Sequence, residues 1–151
     1  MRAVAKILVV EDEPLIRFTL AEYLLDEGYT VIECGNVLEA LAALGLNDDI
    51  DAVVTDVDMP GALNGVQLAQ LVQKTRPFVP VLVTSGRAVD LAGLEGNATF
   101  HPKPYDMTTI AVEIRRRLSS ENLPSREVGA QRGVMRQVSA GLSIHSSARR
   151  T

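Results

Sequence analysis

Residues 6–13 read Lys6-Ile7-Leu8-Val9-Val10-Glu11-Asp12-Glu13: a short apolar run that empties directly into three acids. A continuous run of Ile, Leu and Val of this length suits a strand buried on both faces. The pattern returns at Asp51-Ala52-Val53-Val54-Thr55-Asp56, where a second apolar run again ends in a carboxylate. Two parallel strands ending in this way crowd their acids at one edge of the sheet. A divalent cation relieves such repulsion best.

Working outward, further strands are predicted at Thr30 to Cys34, Val79 to Thr84 and Ala98 to His101, beside Lys6 to Val10 and Ala52 to Asp56. Between them, Pro14 to Glu27 carries Ile16, Leu20 and Leu24 at helical spacing, with Pro14 suited to a first turn and Gly28 just past the end. Asn36 can cap a helix reaching Leu44, and Asn64 or Gly65 opens one running to about Lys74. Asp106 can cap a last helix in which Ile110, Ile114 and Leu118 share a face. Ala88 to Gly96, which contains Gly93, is the remaining helix candidate. Strands alternating with helices imply a parallel sheet with right-handed crossovers and helices on both faces. The expectation is a three-layer α/β domain of five strands and five helices over residues 5–118.

Composition narrows the function. The chain has 151 residues, of which 46% are hydrophobic, enough to bury the core of one domain. Its net charge of −4 divides unevenly: residues 1–118 hold 10 Lys and Arg against 17 Asp and Glu, or −7, and residues 119–151 hold 5 Arg against 2 Glu, or +3. An acidic body argues against a broad nucleic-acid surface, which needs clustered Lys and Arg. No apolar stretch approaches the roughly 20 residues that span a bilayer, and Met1-Arg2-Ala3-Val4-Ala5 leads into a segment without a small-residue cleavage site. A cytoplasmic protein is expected, with no membrane partner. Cys34, the single cysteine, closes an apolar strand and reads as a small buried hydrophobe. Residues 119–151, rich in Ser, Arg and Gly, hold too little apolar surface to order alone. Val134, Val138 and Leu142 sit four apart, so a marginal helix over 129–141 is the alternative to disorder.

Ligands of open α/β sheets bind beyond the carboxyl ends of the strands. There the chain delivers Glu11 and Asp12, then Asp56, then Thr84-Ser85, then Lys103-Pro104. Three acids, a hydroxyl and an amine suit phosphoryl transfer onto a carboxylate. Asp56 is the expected nucleophile. Mg²⁺ takes oxygen ligands and keeps waters, so Asp12, Asp56 and the backbone carbonyl of Asp58 suffice to hold it, with Glu11 acting from behind them. Lys103 supplies a point charge that pairs with Asp56 before reaction and with phosphate afterwards. The Thr84 hydroxyl supplies a directional hydrogen bond.

Four blocks now stand in order: Val9-Val10-Glu11-Asp12-Glu13, Thr55-Asp56-Val57-Asp58-Met59-Pro60-Gly61, Val83-Thr84-Ser85-Gly86 and Lys103-Pro104-Tyr105. Together they resemble the signature of response-regulator receiver domains of two-component signalling, over about residues 5–118. The resemblance implies a flavodoxin-like sheet of order 2-1-3-4-5. It implies phosphorylation of Asp56 by a sensor histidine kinase or a histidine phosphotransfer protein, dependence on Mg²⁺, and slow self-catalysed dephosphorylation rather than turnover of an external substrate. In the family an aromatic on the fifth strand moves inward as the threonine shifts, and Phe100 stands at that position. Lacking a hydroxyl, Phe100 must be held inward by packing alone. The Lys103-Pro104 bond is cis if it follows the family.

The chain departs from the common pattern in places. Gly61-Ala62-Leu63-Asn64 makes the loop from Pro60 to Gly65 one residue longer than usual. Asp58, two beyond Asp56, puts an acid near the path of an attacking water, and Gly86, two beyond Thr84, puts no side chain there. Phosphoryl lifetime is left open by these residues. No output domain fits after residue 118, so a stand-alone receiver is expected, signalling through a changed surface. The face of the fourth helix, fifth strand and fifth helix is the expected one, open to a second copy or a partner.

Other readings compete. Glu11-Asp12-Glu13 can merely favour a helix N-terminus, His101 can be a rim or core histidine, and Arg115-Arg116-Arg117 a solvated helix end. Asp56-Val57-Asp58 also resembles the Asp-x-Asp pair of phosphohydrolases of the haloacid dehalogenase type. That pair also occurs with an upstream Glu in metal-dependent nucleic-acid enzymes, which need a basic surface this body lacks. A receiver fold serving as a phosphorylation-independent binding module is the other alternative.

Overall fold

The computed structural model describes residues 4–94 and 96–121. The elements run β1 (Lys6–Val10), α1 (Pro14–Asp26), β2 (Thr30–Cys34), α2 (Val37–Leu46), β3 (Ala52–Asp56), α3 (Gly65–Thr75), β4 (Val81–Ser85), β5 (Ala98–Pro102) and α4 (Met107–Glu121). All four strand pairings are parallel, and the sheet order is β2-β1-β3-β4-β5, as the resemblance implied.

Two separate cores make the three layers. On one face Leu8, Val10, Ile32, Val53, Val81 and Val83 meet α2 and α3 through Val37, Ala40, Leu68 and Val72. On the other, Ile7, Val9, Val31, Val54 and Leu82 meet α1 and α4 through Leu20, Leu24, Ile110 and Ile114. Every residue of β1, β3 and β4 is buried, which is why their sequences show apolar runs instead of alternation.

The helix ends follow their capping residues. The Asn36 side chain accepts from the Glu39 amide at 2.8 Å and α2 continues two residues past the expected Leu44. Asn64 and Gln67 form a reciprocal capping box at α3. The Asp106 carboxylate accepts from the Thr108 amide at 3.1 Å at the start of α4. Gly28, with φ +103°, takes the left-handed backbone past the end of α1 that favours glycine.

One expected helix is not there. The described residues contain four helices, and those between β4 and β5 form turns. Gly93 and Gly96 adopt φ +91° and +67°, outside helical space, and the Asp90 carboxylate accepts from the Ala92 amide in a local turn. Val89 and Leu94 alone reach the α2–α3 core, too few anchors for an amphipathic stripe. The expected output face therefore consists of β5 and α4 without its other helix, and β5 is only half-buried. Strand β4 begins at Val81 instead of Val79, because Pro80 has no amide to donate and Val79 turns back onto the Arg76 carbonyl. Edge strand β5 extends one residue, to Pro102. The expected tail, apart from its first residues in α4, lies outside the described residues.

Candidate functional site

Strand register brings the acids together. The amide of Glu11 donates to the Cys34 carbonyl and that of Val57 to the Thr84 carbonyl, so β1 and β3 end level with their neighbours and Asp56 stands opposite Thr84. Glu11, Asp12 and Asp56 each offer an oxygen within 4.8 Å of the others. Glu11 and Asp56 are buried and Asp12 is half-exposed.

Lys103 is aimed into this cluster. Its amide donates to the Ser85 carbonyl at 2.8 Å, the following Lys103–Pro104 peptide is cis, and its ammonium reaches Glu11 Oε1 at 2.9 Å and Asp56 Oδ1 at 3.4 Å. Sequence reasoning paired Lys103 with Asp56; the shorter contact is to Glu11. Glu11 is fixed further by the Glu13 amide at 3.1 Å, and Asp56 Oδ1 accepts from the Val57 amide at 2.9 Å. Burial pushes the carboxyls of Glu11 and Asp56 above the ordinary range, against the pull of Lys103, and the neighbouring acids push the same way. The Lys103 ammonium is held above its usual value: burial opposes its charge, but Glu11 and Asp56 outweigh that.

Thr84 is buried, and its hydroxyl donates a long 3.4 Å bond to the Thr55 carbonyl. Phe100 is half-buried against the α2–α3 core, paired in register with Val83. The Asp58 carboxylate does not join the cluster. It takes both oxygens to Arg87, at 2.9 Å from Nε and 2.7 Å from a terminal nitrogen, across the mouth between the loops after β3 and β4. The two acids of an Asp-x-Asp mechanism thus do not converge here. His101 hydrogen-bonds Thr99, Arg116 and Arg117 pair with Glu113, and burial pushes the Cys34 thiol up to about 12, leaving these groups structural.

Two residues escaped the sequence reading. In sequence Gly65 reads only as a helix opener, yet a Cβ there would lie 2.0 Å from the Asp56 carbonyl oxygen and 2.8 Å from its carbon. Its one signal was a glycine following a good capping residue. Arg87 gave no motif, since its role depends on how two loops face each other.

A five-stranded parallel sheet presenting three carboxylates and an amine at its carboxyl edge defines an acidic-site domain of flavodoxin-like fold. The family model "Response regulator receiver domain" matches residues 7–115, and the chain belongs to that family, whose standard role is phosphoacceptor in two-component response regulation. The chain is similar to the transcriptional regulatory protein TcrA of Mycobacterium tuberculosis, 36% identical over 114 residues, covering 73% of this chain and 44% of TcrA. It therefore spans less than half the length of that relative. Among solved structures, a response regulator receiver domain from Clostridium thermocellum is 28% identical with TM-score 0.73, covering 80% of this chain and 98% of that one. TrrA from Thermotoga maritima, solved in complex with Mg(2+)-BeF, is 26% identical with TM-score 0.68, covering 76% of this chain and 99% of that one. No helix among the described residues is long and apolar enough to cross a membrane.

Proposed function

We propose that Asp56 is the phosphoacceptor, receiving its phosphoryl group from a histidine kinase or a histidine phosphotransfer protein. The observation that carries this is the placement of Asp56 within one cluster with Glu11, Asp12 and the Lys103 ammonium. In the step, an Asp56 carboxylate oxygen attacks phosphorus, the bond from phosphorus to the donor nitrogen or oxygen breaks, and the donor leaves with its electron pair. Lys103 and the Thr84 hydroxyl stabilise the charge on the phosphoryl oxygens.

A metal fits this site on charge alone, because three carboxylates face one ammonium and leave an excess of two negative charges. Asp12, Asp56 and the Asp58 main-chain carbonyl are its proposed ligands, with Glu11 orienting Lys103 behind them. Mg²⁺ when bound neutralises the charge that otherwise opposes an approaching phosphate. The relative TrrA, crystallised with Mg(2+)-BeF, supports that choice.

The long Thr84 bond leaves its hydroxyl free to turn toward the phosphoryl group. Phe100 then packs inward, altering the surface of β5 and α4, where a partner or a second copy of the chain docks. The protein acts as a signalling intermediate in the cytoplasm, losing its phosphoryl group slowly by its own site rather than turning over a substrate. Residues 5–118 carry this whole function.

Incubation with Mg²⁺ and acetyl phosphate, followed by intact mass, tests the proposal. One phosphoryl group is expected on the wild type, lost on adding EDTA beforehand and absent in Asp56→Asn. A phosphoryl group retained in folded Asp56→Asn sinks it.

A further inference from the structure

Arg17 stands one turn into α1, and its side chain reaches back toward the carboxylate cluster. Its Nη1 donates to the Glu11 main-chain carbonyl at 2.9 Å and its Nε reaches a Glu33 carboxylate oxygen in β2 at 3.3 Å. Gly35, just past β2, leaves room for the guanidinium, since a Cβ there would stand 3.3 Å from Nη1. The carbonyl that accepts from Arg17 belongs to the peptide joining Glu11 to Asp12. A peptide unit is planar, so fixing its oxygen also fixes the Asp12 amide and the direction in which the chain leaves β1. Asp12 has few other restraints. Among the described residues its carboxylate has no hydrogen-bond or ion-pair partner, and Glu13, which opens α1, caps no helix amide with its side chain. Glu11, by contrast, is tied at its amide to the Cys34 carbonyl and at its carboxylate to Lys103 and the Glu13 amide.

We propose that Arg17 is a positioning residue for the divalent cation: by holding the Glu11 carbonyl it keeps the Asp12 carboxylate turned toward Asp56 and so sets how tightly Mg²⁺ binds. Arg17 ligates nothing itself and acts through the Glu11–Asp12 peptide. An ion that takes few protein ligands in a strict geometry gains most when those ligands already stand in place. Charge alone gives the opposite expectation. A guanidinium near an acidic cluster repels a cation, and removing it also leaves the Glu33 carboxylate unpaired, so on charge alone its loss tightens Mg²⁺ binding. Because Glu33 already offsets much of the guanidinium charge, the positioning effect is the larger of the two. A tie that merely holds α1 against β1 and β2 gives a third outcome: its loss changes stability and leaves Mg²⁺ affinity as it was. The sign of the change in affinity decides among the three.

This inference rests on the reading that Asp12 and Asp56 hold Mg²⁺, and its test separates the two claims. Full-length wild type, Arg17→Met and Arg17→Lys are titrated with Mg²⁺ by calorimetry, with urea unfolding of the metal-free proteins alongside. Arg17→Met, which has neither donor nor charge, is expected to bind Mg²⁺ about tenfold more weakly. That is the low end for losing a hydrogen bond that orients a ligand, because the bond here reaches the peptide and not the carboxylate. Arg17→Lys, which keeps one donor for the carbonyl, falls between Arg17→Met and wild type. Phosphoryl uptake from acetyl phosphate should need correspondingly more Mg²⁺ for half its maximal rate in Arg17→Met and recover at saturating Mg²⁺. Equal or tighter Mg²⁺ binding in folded Arg17→Met overturns the inference and leaves the metal reading in place. Should Arg17→Met not fold, Arg17→Lys decides in the same way: weaker binding than wild type supports the inference and equal binding overturns it. A folded wild type that binds no Mg²⁺ removes both claims.

Discussion

Substituting Gly65 by Ala should damage the site without touching any charged group. An added Cβ would stand 2.0 Å from the Asp56 carbonyl oxygen and 2.9 Å from the Val57 Cα, where ordinary contact begins at 3.4 Å. Relief demands a displacement of about 1.4 Å, the difference between 3.4 and 2.0. All the nearest atoms are backbone, tied by the Gly65 amide to the Val57 carbonyl and the Val57 amide to the Thr84 carbonyl. Overpacking of this kind costs roughly 1–3 kcal/mol, occasionally more, against about 0.5–1 kcal/mol that Ala otherwise gains over Gly in a helix. A backbone clash this close belongs at the upper end, for a net loss of about 2 kcal/mol and a melting temperature lower by roughly 5–10 °C. Gly45 in α2 provides the control, since a Cβ there meets nothing within 4 Å. Gly45→Ala should gain about 0.5–1 kcal/mol. Urea unfolding gives the stabilities, and phosphoryl uptake from acetyl phosphate reports the site, which should be slowed in Gly65→Ala only. Equal stability and equal uptake in Gly65→Ala would refute the argument that the Asp56 backbone needs a glycine beside it.

At the opposite end of the sheet, the Lys6 ammonium is almost wholly buried against Asp49 at 3.0 Å and Asn47 at 3.3 Å. Lys6→Met leaves the Asp49 carboxylate without its cation and should lower stability by about 3 kcal/mol, recovered in part by adding Asp49→Asn; a variant as stable as wild type in urea would count against this. Glu113 in α4 is held below the usual carboxylate range, because hydrogen bonds from Arg116 and Arg117 outweigh the burial that works to raise it. A depressed carboxylate stabilises the fold above its unfolded value and loses that contribution as pH falls through the folded one. Glu113→Gln should thus be less stable than wild type at pH 7 and equal to it near pH 3, read from thermal melts at both; a deficit that persists in acid contradicts the ion-pair account.

Strand positions were readable because period and burial write themselves directly into composition. Ile7 to Val10, Ala52 to Val54 and Val81 to Val83 lie between two helical layers, so each residue had to be apolar whichever way it pointed. Residues that end such runs are then aligned by the backbone ladder itself, which is how Glu11, Asp56 and Thr84 could be placed together from sequence. The missing helix between β4 and β5 failed for the converse reason. Ala88 to Gly96 stood where a helix was expected between two strands, but the glycines at 93 and 96 decide the backbone by left-handed torsions that position in the alternation does not reveal.

What remained hidden is the set of contacts made by long side chains between loops. Lys103 was placed at the right edge by its strand, but whether its ammonium sits nearer Glu11 or Asp56 depends on rotamers and on the turn after Pro102, and Glu11 has the shorter contact. The consequence is chemical. With Lys103 on Glu11 at 2.9 Å and on Asp56 at 3.4 Å, Asp56 is the less firmly neutralised of the two buried acids. The role proposed for Asp56 needs that looseness, since a carboxylate fully paired with an ammonium has its lone pairs engaged before the phosphorus arrives.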